Sequence, residues 1–242
     1  MNFRFIYTFG KIYGFRTTRR FASYIVYSLL IPLSLLFILG MISSGKLVPL
    51  AIVGGLISVF ATNGINTLND AAQLRIQHKF YDLFIATPLT SFEYILGFVI
   101  SELVFALPSV MLFIVIWYAY HIFTIMLALL AAAVMIMLYF AISFIAFSAS
   151  FLPSHTRGIW SWTGILTLAL TLFPPIYYPY TELSRPLLYV FLLLPSGSAA
   201  VLLQGAFGFQ PMMYAAAYAF VIESFICVAA AMMVLKWKMH YT

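Results

Sequence analysis

The chain alternates between long apolar runs and short stretches in which charges, prolines and small polar residues collect. A helix needs about 20 apolar residues to cross the roughly 30 Å hydrocarbon layer of a membrane, where it satisfies all its own backbone hydrogen bonds. The pattern therefore predicts an all-α membrane protein with six transmembrane helices. Their expected bounds are Phe21–Ser43, Leu47–Leu68, Tyr94–Tyr120, Ile122–Ser150, Ile159–Ile176 and Met212–Leu235.

The composition agrees with lipid as the main solvent of this chain. Of the 242 residues, 64% are hydrophobic and 7% are charged, whereas soluble domains carry about 25% charged residues. We expect the net charge of +6 to reflect anionic headgroups and orientation rather than binding to nucleic acid. The single cysteine, Cys227, excludes an intrachain disulfide.

Basic residues predict which ends of the helices face the cytoplasm. If the N-terminus is inside, two of the 12 Lys and Arg residues, Lys46 and Arg185, lie outside. Such a bias is typical of cytoplasmic loops, so we expect a multi-pass protein of the cell membrane with both termini inside. The residues assigned to the cytoplasm are Arg4, Lys11, Arg16, Arg19, Arg20, Arg75, Lys79, Arg157, Lys236 and Lys238.

Residues 1–20 are predicted to form an amphipathic elbow helix along the cytoplasmic leaflet, ahead of a single membrane domain at 21–242. Apolar residues recur on one side of this helix and polar residues on the other. Gly10 and Gly14 weaken the prediction, because each costs about 1 kcal/mol in a helix, and a frayed basic tail is the alternative. The apolar side comprises Phe5, Ile6, Phe9, Ile12 and Tyr13, and the polar side Arg4, Thr8 and Lys11.

The longest predicted cytoplasmic segment, 70–93, carries the pattern of a second amphipathic helix. Pro88 ends this helix, and Thr90 with Glu93 fits a capping box that starts the third span. The apolar face needs the membrane surface or a partner protein to cover it. The polar face comprises Arg75, His78, Lys79 and Asp82, and the apolar face Ile76, Phe80, Leu83 and Phe84.

Prolines interrupt the chain after the fifth span. Pro174, Pro175 and Pro179 prevent a continuing helix there. Two apolar segments follow, Leu187–Leu194 and Ser198–Gly205, and each is too short to cross the membrane. Together they predict a re-entrant helical hairpin that enters from outside.

Catalytic motifs are scarce in this sequence. Gly40 to Lys46 has the spacing of a phosphate-binding loop, but an apolar span precedes it and Leu47 follows it where Ser or Thr is required. The sequence contains no H-E-x-x-H, no clustered Cys/His set and no G-x-S-x-G motif. We therefore expect no enzyme activity, no metal site and no cofactor in this chain.

Polar residues inside the spans form the candidate substrate pathway. The second span carries a polar stripe, and such stripes avoid lipid; a translocation path and helix packing both explain it. Glu102 and Glu223 lie within the third and sixth spans, where a carboxylate must face protein or water, so each serves either substrate passage or packing. The stripe comprises Ser58, Thr62, Asn66 and Asn69, with Asn63 beside it, and the fifth span repeats the pattern at Thr163, Thr167 and Thr171.

Two stretches resemble the ABC-2 type permeases of ABC transporters. One is Ile85–Gly97, with its Thr-Pro-Leu step followed by Glu93 and Gly97. The other is Phe173–Gly205, with a proline-rich turn, short apolar helices and a Leu-Pro-Ser sequence. The elbow helix, the six spans and the internal termini extend the resemblance over nearly the whole chain. The segment 79–82 departs from it, because the family often has glycine and threonine before the acidic residue.

The resemblance implies a permease subunit that exports a substrate by alternating access. A separate ABC ATPase would bind MgATP, and a second copy or a paralogue would complete the unit in membrane lipid. The implied ATPase contacts are the coupling helix Arg75–Phe84, with Arg75, His78, Lys79, Phe80, Asp82, Leu83 and Phe84, and the smaller segment Pro153–Gly158, with His155 and Arg157. The implied pathway or interface comprises Thr62, Asn63, Asn66, Asn69, Glu102, Thr163, Thr167 and Glu223.

Two other classes of function fit the same residues. The first is a secondary transporter or channel that uses Glu102 and Glu223 as ion or proton sites. It is disfavoured because no internal repeat is evident in the sequence. The second is a non-transporting membrane scaffold, which is disfavoured because it does not explain the polar stripes and the buried carboxylates.

Overall fold

The computed structural model describes residues 3–15, 22–78, 90–120 and 124–240, and these form helices and loops without any strand. The all-α class is therefore confirmed for the described residues. The helices are α1 (Phe3–Phe9), α2 (Ala22–Ile42), α3 (Val48–His78), α4 (Ser91–Ala119), α5 (Ile125–Ala149), α6 (Thr156–Thr167), α7 (Arg185–Phe191), α8 (Pro195–Ala206) and α9 (Tyr214–His240). Two π-helical turns extend α1 and α6, at Gly10–Phe15 and Leu168–Leu172, and a 3-10 turn lies at Tyr180–Glu182.

Among the described residues, four helices are long and apolar enough to cross a membrane, namely α3, α4, α5 and α9. A fifth span exists if α7 and α8, which meet at an angle of 114°, are counted as one broken span. Six spans are thus not confirmed. The apolar part of α2 is the short stretch Ser28–Ile42, and α6 with its π-helical turn measures only about 25 Å before Pro174 ends it.

α3 is the central helix of the bundle. In an apolar stretch of 18 residues within this helix 94% of the residues are buried, and the helix packs against α2, α4, α5, α6 and α8. Glycines make this crowding possible, because a Cβ atom at Gly55 would overlap the Phe113 ring and one at Gly64 would lie 3.0 Å from the Ile142 side chain. Small residues allow helix backbones to approach closely in membrane proteins.

α3 is also longer than its hydrophobic pattern predicts. The pattern ends the second span at Leu68, but the helix continues without a break to His78. Charges begin at Asp70, yet neither glycine nor proline interrupts the backbone there, and Ala71 and Ala72 are buried. The other predicted coupling-helix residues, Lys79, Phe80, Asp82, Leu83 and Phe84, lie outside the described residues.

The N-terminal segment packs directly on the first half of α4. Ile6 is buried, and the rings of Phe9 and Phe98 lie 5.1 Å apart. A Cβ atom at Gly14 would lie 3.0 Å from the Ser101 carbonyl oxygen. The glycine that weakens the sequence prediction is therefore needed for close approach to α4, while the polar side of the helix, Arg4, Thr8 and Lys11, is exposed.

Contacts between distant elements define two ends of the bundle. At the Arg75 end, Arg75 of α3 reaches the loop after α5. At the Trp117 end, the ring of Trp117 lies 5.4 Å from that of Phe207, and Gly54 lies against Ile176. α3 and α5 therefore run toward the Arg75 end, and α4 runs in the opposite direction. The distribution of basic residues predicts that the Arg75 end is cytoplasmic.

Large apolar side chains cover much of the outer surface of the bundle. Monomeric soluble proteins rarely expose apolar patches of more than a few hundred Å². The exposed apolar positions and the four or five possible spans together indicate a membrane protein. Representative exposed residues are Leu30 and Phe37 on α2, Met111 and Val115 on α4, Met126 and Leu129 on α5, and Ile222, Phe225 and Ile226 on α9.

Candidate functional site

The predicted polar stripe of α3 lies inside the bundle. Each of its residues is at most 8% exposed, because α4, α5 and α6 surround this helix. The stripe is therefore covered by protein rather than by lipid, and any substrate would reach it only when the helices separate. The buried members are Ser58, Thr62, Asn63, Asn66 and Asn69, to which the structure adds Thr67.

One pair from the predicted pathway joins two helices. The Thr163 hydroxyl of α6 donates a hydrogen bond to Asn69 Oδ1 of α3 at 2.6 Å, and both residues are buried. This contact supports a packing role for the pair. Thr167, one turn further along α6, is half-buried, and its carbonyl accepts a hydrogen bond from the Thr171 hydroxyl.

Other polar atoms of the stripe have no partner. Asn63 Nδ2 donates to the Val59 carbonyl at 2.8 Å, but Asn63 Oδ1, Asn66 Nδ2 and Thr67 Oγ1 are buried without a hydrogen bond to any described residue. Buried polar atoms are nearly always satisfied by protein or by ordered water. A row of such atoms is the feature expected of a hydrated or substrate-binding interior.

Glu102 of α4 is fully buried beside this stripe. Both of its carboxylate oxygens are buried without a hydrogen-bond partner among the described residues, and Asp70 of α3 and Tyr139 of α5 are its electrostatic neighbours. The Tyr139 hydroxyl donates to the Val99 carbonyl at 2.5 Å. Asp70 is absent from the predicted site, although it continues the four-residue spacing of Thr62 and Asn66. The reason is that the sequence pattern assigns Asp70 to a cytoplasmic segment after the second span.

Glu223 occupies a separate position between α8 and α9. The Ser198 hydroxyl donates to Glu223 Oε2 at 2.7 Å, while Oε1 is buried without a partner among the described residues. Ser198 lies in the first turn of α8, where the helix dipole favours a negative charge. The structure gives Glu102 and Glu223 different neighbours, so the two predicted carboxylates do not form one site.

The Arg75 guanidinium makes hydrogen bonds to another segment of the same chain. Its Nη2 donates to the carbonyl oxygens of Ser150 at 2.8 Å and Pro153 at 2.6 Å, and the guanidinium lies 5.5 Å from the centre of the Phe151 ring. These contacts fix the end of α3 to the loop that joins α5 and α6. Contact with an ATPase remains a prediction for this residue.

The predicted minor ATPase contact lies beside this junction. His155 and Arg157 are exposed at the start of α6, and the Ser154 hydroxyl lies 3.0 Å from His155 Nδ1. The Arg75 side chain reaches Pro153 in the same loop. Consequently the end of α3, where His78 lies, and the second predicted contact belong to one surface at the Arg75 end.

A buried amide organises the opposite end of the bundle. Gln204 of α8 is 3% exposed, and its Nε2 donates to the carbonyl oxygens of Pro175 at 2.6 Å and Tyr178 at 3.0 Å. Its Oε1 accepts a hydrogen bond from the Tyr180 amide at 3.1 Å. Gln204 could not be recognised as a functional residue from the sequence, because a single polar residue in an apolar helix does not reveal which backbone groups it bonds to.

Tyr180 strengthens the same junction. Its hydroxyl donates to the Pro211 carbonyl, and burial raises the pKa of the phenol, so the proton that forms this bond remains in place at physiological pH. The Thr181 hydroxyl also lies 2.8 Å from Gln210 Oε1. The proline-rich segment and the loop after α8 therefore form one connected cap.

The described part of the chain provides no group of three or more His, Cys, Asp or Glu side chains arranged to hold a metal ion. The chain matches no protein-family model and no curated protein. A function for this chain is therefore inferred from the geometry above and from the resemblance of the two sequence stretches to ABC-2 type permeases.

Proposed function

We propose that this chain is the permease subunit of an ATP-driven exporter whose ATPase is a separate polypeptide. The observation that carries this proposal is the contact between Arg75 and the loop after α5. It joins the two segments that the resemblance assigns to the ATPase. A partner bound to either segment would move both, which is the property needed to convert ATP binding into helix movement.

The central position of α3 extends this argument into the membrane. Its end lies at the proposed ATPase surface, while its polar stripe lies under α4, α5 and α6. Displacing the end of α3 would change how tightly these helices cover the stripe. Substrate would then move outward by alternating access, with two permease chains and two ATPases forming the working unit.

The experiment is purification of the tagged full-length chain from its native membrane, followed by mass spectrometry of the proteins that copurify. We expect an ABC ATPase in an amount comparable to that of the chain. The same preparation identifies a second permease copy or a paralogue. Preparations that transport a substrate but contain no ATPase would contradict the proposal.

A double variant sharpens the same experiment. Phe80→Ala with Phe84→Ala should release the ATPase, because burying one such side chain contributes roughly 1.5 to 3 kcal/mol and aromatic anchors often dominate interfaces. Lys79→Ala is the matched control, since peripheral charges mainly change association rates. If the double variant retained the ATPase fully and the control lost it, the assignment of the ATPase contact to the apolar face would be wrong.

A secondary transporter is the second candidate function. The fully buried carboxylate of Glu102, with Asp70 as its electrostatic neighbour, favours it, because ionisable residues inside a membrane often carry ions or protons. Transport by the purified chain in vesicles separates the two candidates. Uptake driven by a pH gradient without ATP or an ATPase would favour the secondary transporter, whereas an exporter needs both.

A further inference from the structure

A groove of about 590 Å³ lies between the N-terminal segment and α4. Its volume is within the range of clefts that bind small molecules. The residues on the α4 side are spaced by four and three positions, so they follow one face of that helix for about two turns. Apolar residues and one glycine form most of its lining, with Ile6 and Gly10 on the N-terminal segment and Ile100, Val104 and Leu107 on α4.

The groove opens onto the outer surface of the bundle. Ile6 and Gly10 are buried, whereas Leu107 is exposed. A Cβ atom at Gly10 would lie 3.4 Å from Ile100 Cγ2, so a larger side chain there would occupy the space in front of α4. In a membrane protein, an apolar groove on the outer surface is in contact with lipid rather than with water.

The length of α4 indicates how deep the groove lies in the membrane. Tyr118 and Tyr120 are exposed at the Trp117 end, and tyrosine is enriched where the hydrocarbon layer meets the headgroups. About 20 helical residues cross the roughly 30 Å layer, so the opposite boundary lies near Ile100. Val104 and Leu107 follow Ile100 toward the Trp117 end, which places them in the hydrocarbon.

A cation lies at the headgroup level of this groove. Lys11 lines the groove and is exposed, and it follows Gly10, the residue next to Ile100. Its ammonium lies 5.9 Å from the centre of the Tyr7 ring, and no acidic residue in the described part of the chain pairs with it. A lysine stem packs along apolar surface while its ammonium stays at the polar boundary, where it binds phosphate as a point charge.

We propose that this groove binds an anionic phospholipid, with the lipid phosphate at Lys11 and one acyl chain along the apolar face of α4. Charge complementarity selects the headgroup, because residues 1–15 contain no acidic residue and the basic Arg4 and Lys11 are exposed. The bound lipid contacts both the N-terminal segment and α4, and therefore holds them together. The site requires only that the chain lies in a membrane, and it does not rest on the proposed exporter function.

Native mass spectrometry of the purified full-length chain tests the proposal. The protein in detergent is titrated with phosphatidylglycerol, or with phosphatidylcholine that carries the same acyl chains. Because the choline cation offsets the phosphate charge, we expect phosphatidylglycerol to bind about fivefold more tightly, which is the contribution of one basic residue at an anionic surface. Equal affinities for the two lipids would overturn the proposal.

Lys11→Gln tests the headgroup contact. This variant should lose the preference for phosphatidylglycerol, whereas Arg4→Gln should keep it, because Arg4 is on the same segment but does not line the groove. Both side chains are exposed, so neither change removes a packing contact of the core. If the two variants lose the preference equally, diffuse charge attracts the lipid and the assigned site is wrong.

Leu107→Trp tests the acyl-chain contact. The indole fills the deeper end of the groove and should weaken binding of both lipids about tenfold, as when about two methylene groups lose apolar contact. Met111→Trp is the matched control, since Met111 is exposed one turn further along α4 and outside the groove; it should leave both affinities unchanged. Undiminished binding by Leu107→Trp would refute the site. A dimeric wild type that binds neither lipid, beside a monomeric Leu107→Trp, would assign the groove to a second copy and also overturn the proposal.

Discussion

At the Trp117 end, the buried amide of Gln204 makes three hydrogen bonds to the segment that follows α6, whereas at the Arg75 end one half-buried guanidinium makes two. The first junction ties together prolines and short helices, and Tyr180 adds another bond to it. Among the described residues, the second junction has one polar side chain that joins α3 to the loop after α5, beside the apolar packing of α3 on α5 and α6. The difference indicates that the described polar contacts hold the Trp117 end more firmly than the Arg75 end, which is the end where we propose that a partner binds.

Of the variants that test this difference, the removal of Gln204 should lower the free energy of unfolding the most. In Gln204→Leu, two carbonyls and one amide of the backbone lose their partner, at about 1 kcal/mol or more each. We expect a loss of about 3 kcal/mol or more in the free energy of unfolding, measured by denaturant titration in detergent. Gln210→Leu, a change of the same type in the adjoining loop, should cost about 1 kcal/mol or less. Equal losses in both variants would show that Gln204 has no special place in the cap.

Replacing Arg75 by lysine should have a smaller effect. Lysine keeps the charge but lacks the planar group that reaches two carbonyls and stacks on Phe151. We expect Arg75→Lys to lower the free energy of unfolding by about 1 to 2 kcal/mol, with Arg157→Lys unchanged within about 0.5 kcal/mol. If Arg75→Lys lowered the free energy of unfolding as much as Gln204→Leu does, the two ends of the bundle would not differ in how firmly they are held.

The N-terminal segment tests a different kind of contact near the Arg75 end. Gly14→Ala places a methyl group 3.0 Å from the Ser101 carbonyl oxygen, so we expect a loss of about 1 kcal/mol, at the lower end of the cost of overpacking. Gly164→Ala is the control, because no atom lies within 4 Å of its Cβ position. It should leave stability unchanged or raise it by up to about 1 kcal/mol, since alanine favours helices. In the same unfolding assay Gly14→Ala alone should lower the free energy of unfolding; a stabilised Gly14→Ala would exclude the close contact.

Tyr180→Phe should have the smallest effect. It removes only the hydroxyl that donates to the Pro211 carbonyl, which corresponds to about 1 kcal/mol. The raised pKa of the phenol predicts that this contribution stays constant between about pH 6 and about pH 9, because the group remains protonated throughout that interval. Tyr189→Phe, at an exposed position, should change nothing. A difference between wild type and Tyr180→Phe that fades across this interval would contradict the assignment.

Local signals in the sequence predicted local structure well. The capping box is confirmed, since the Thr90 amide donates to Glu93 Oε2 at 2.9 Å and the Glu93 amide donates to Thr90 Oγ1 at 3.3 Å. The described N-terminal residues 3–15 are helical and pack on α4, while their predicted position along the cytoplasmic leaflet stays a prediction. Both features depend on residues a few positions apart, which a pattern reveals directly.

Features that depend on distant contacts could not be predicted. The bounds of α3 were set by the first charge at Asp70, but packing against α5 and α6 continues the helix beyond it. Gln204 and Arg75 acquire their roles from carbonyls that lie 26 and 75 residues away in the chain. The spacing of residues in the sequence does not reveal which distant elements contact each other, so these hydrogen-bond partners could be identified only from the structure.

The burial of α3 also affects how the chain enters the membrane during synthesis. Of the four helices long enough to cross, α3 is the least apolar, because Asn63, Asn66, Asn69 and Asp70 lie within it. Polar residues near the middle of a helix make insertion as an isolated segment unfavourable. We therefore expect α3 to remain beside the insertion machinery until α4, α5 and α6 emerge and cover its polar face, where Thr163 of α6 bonds to Asn69.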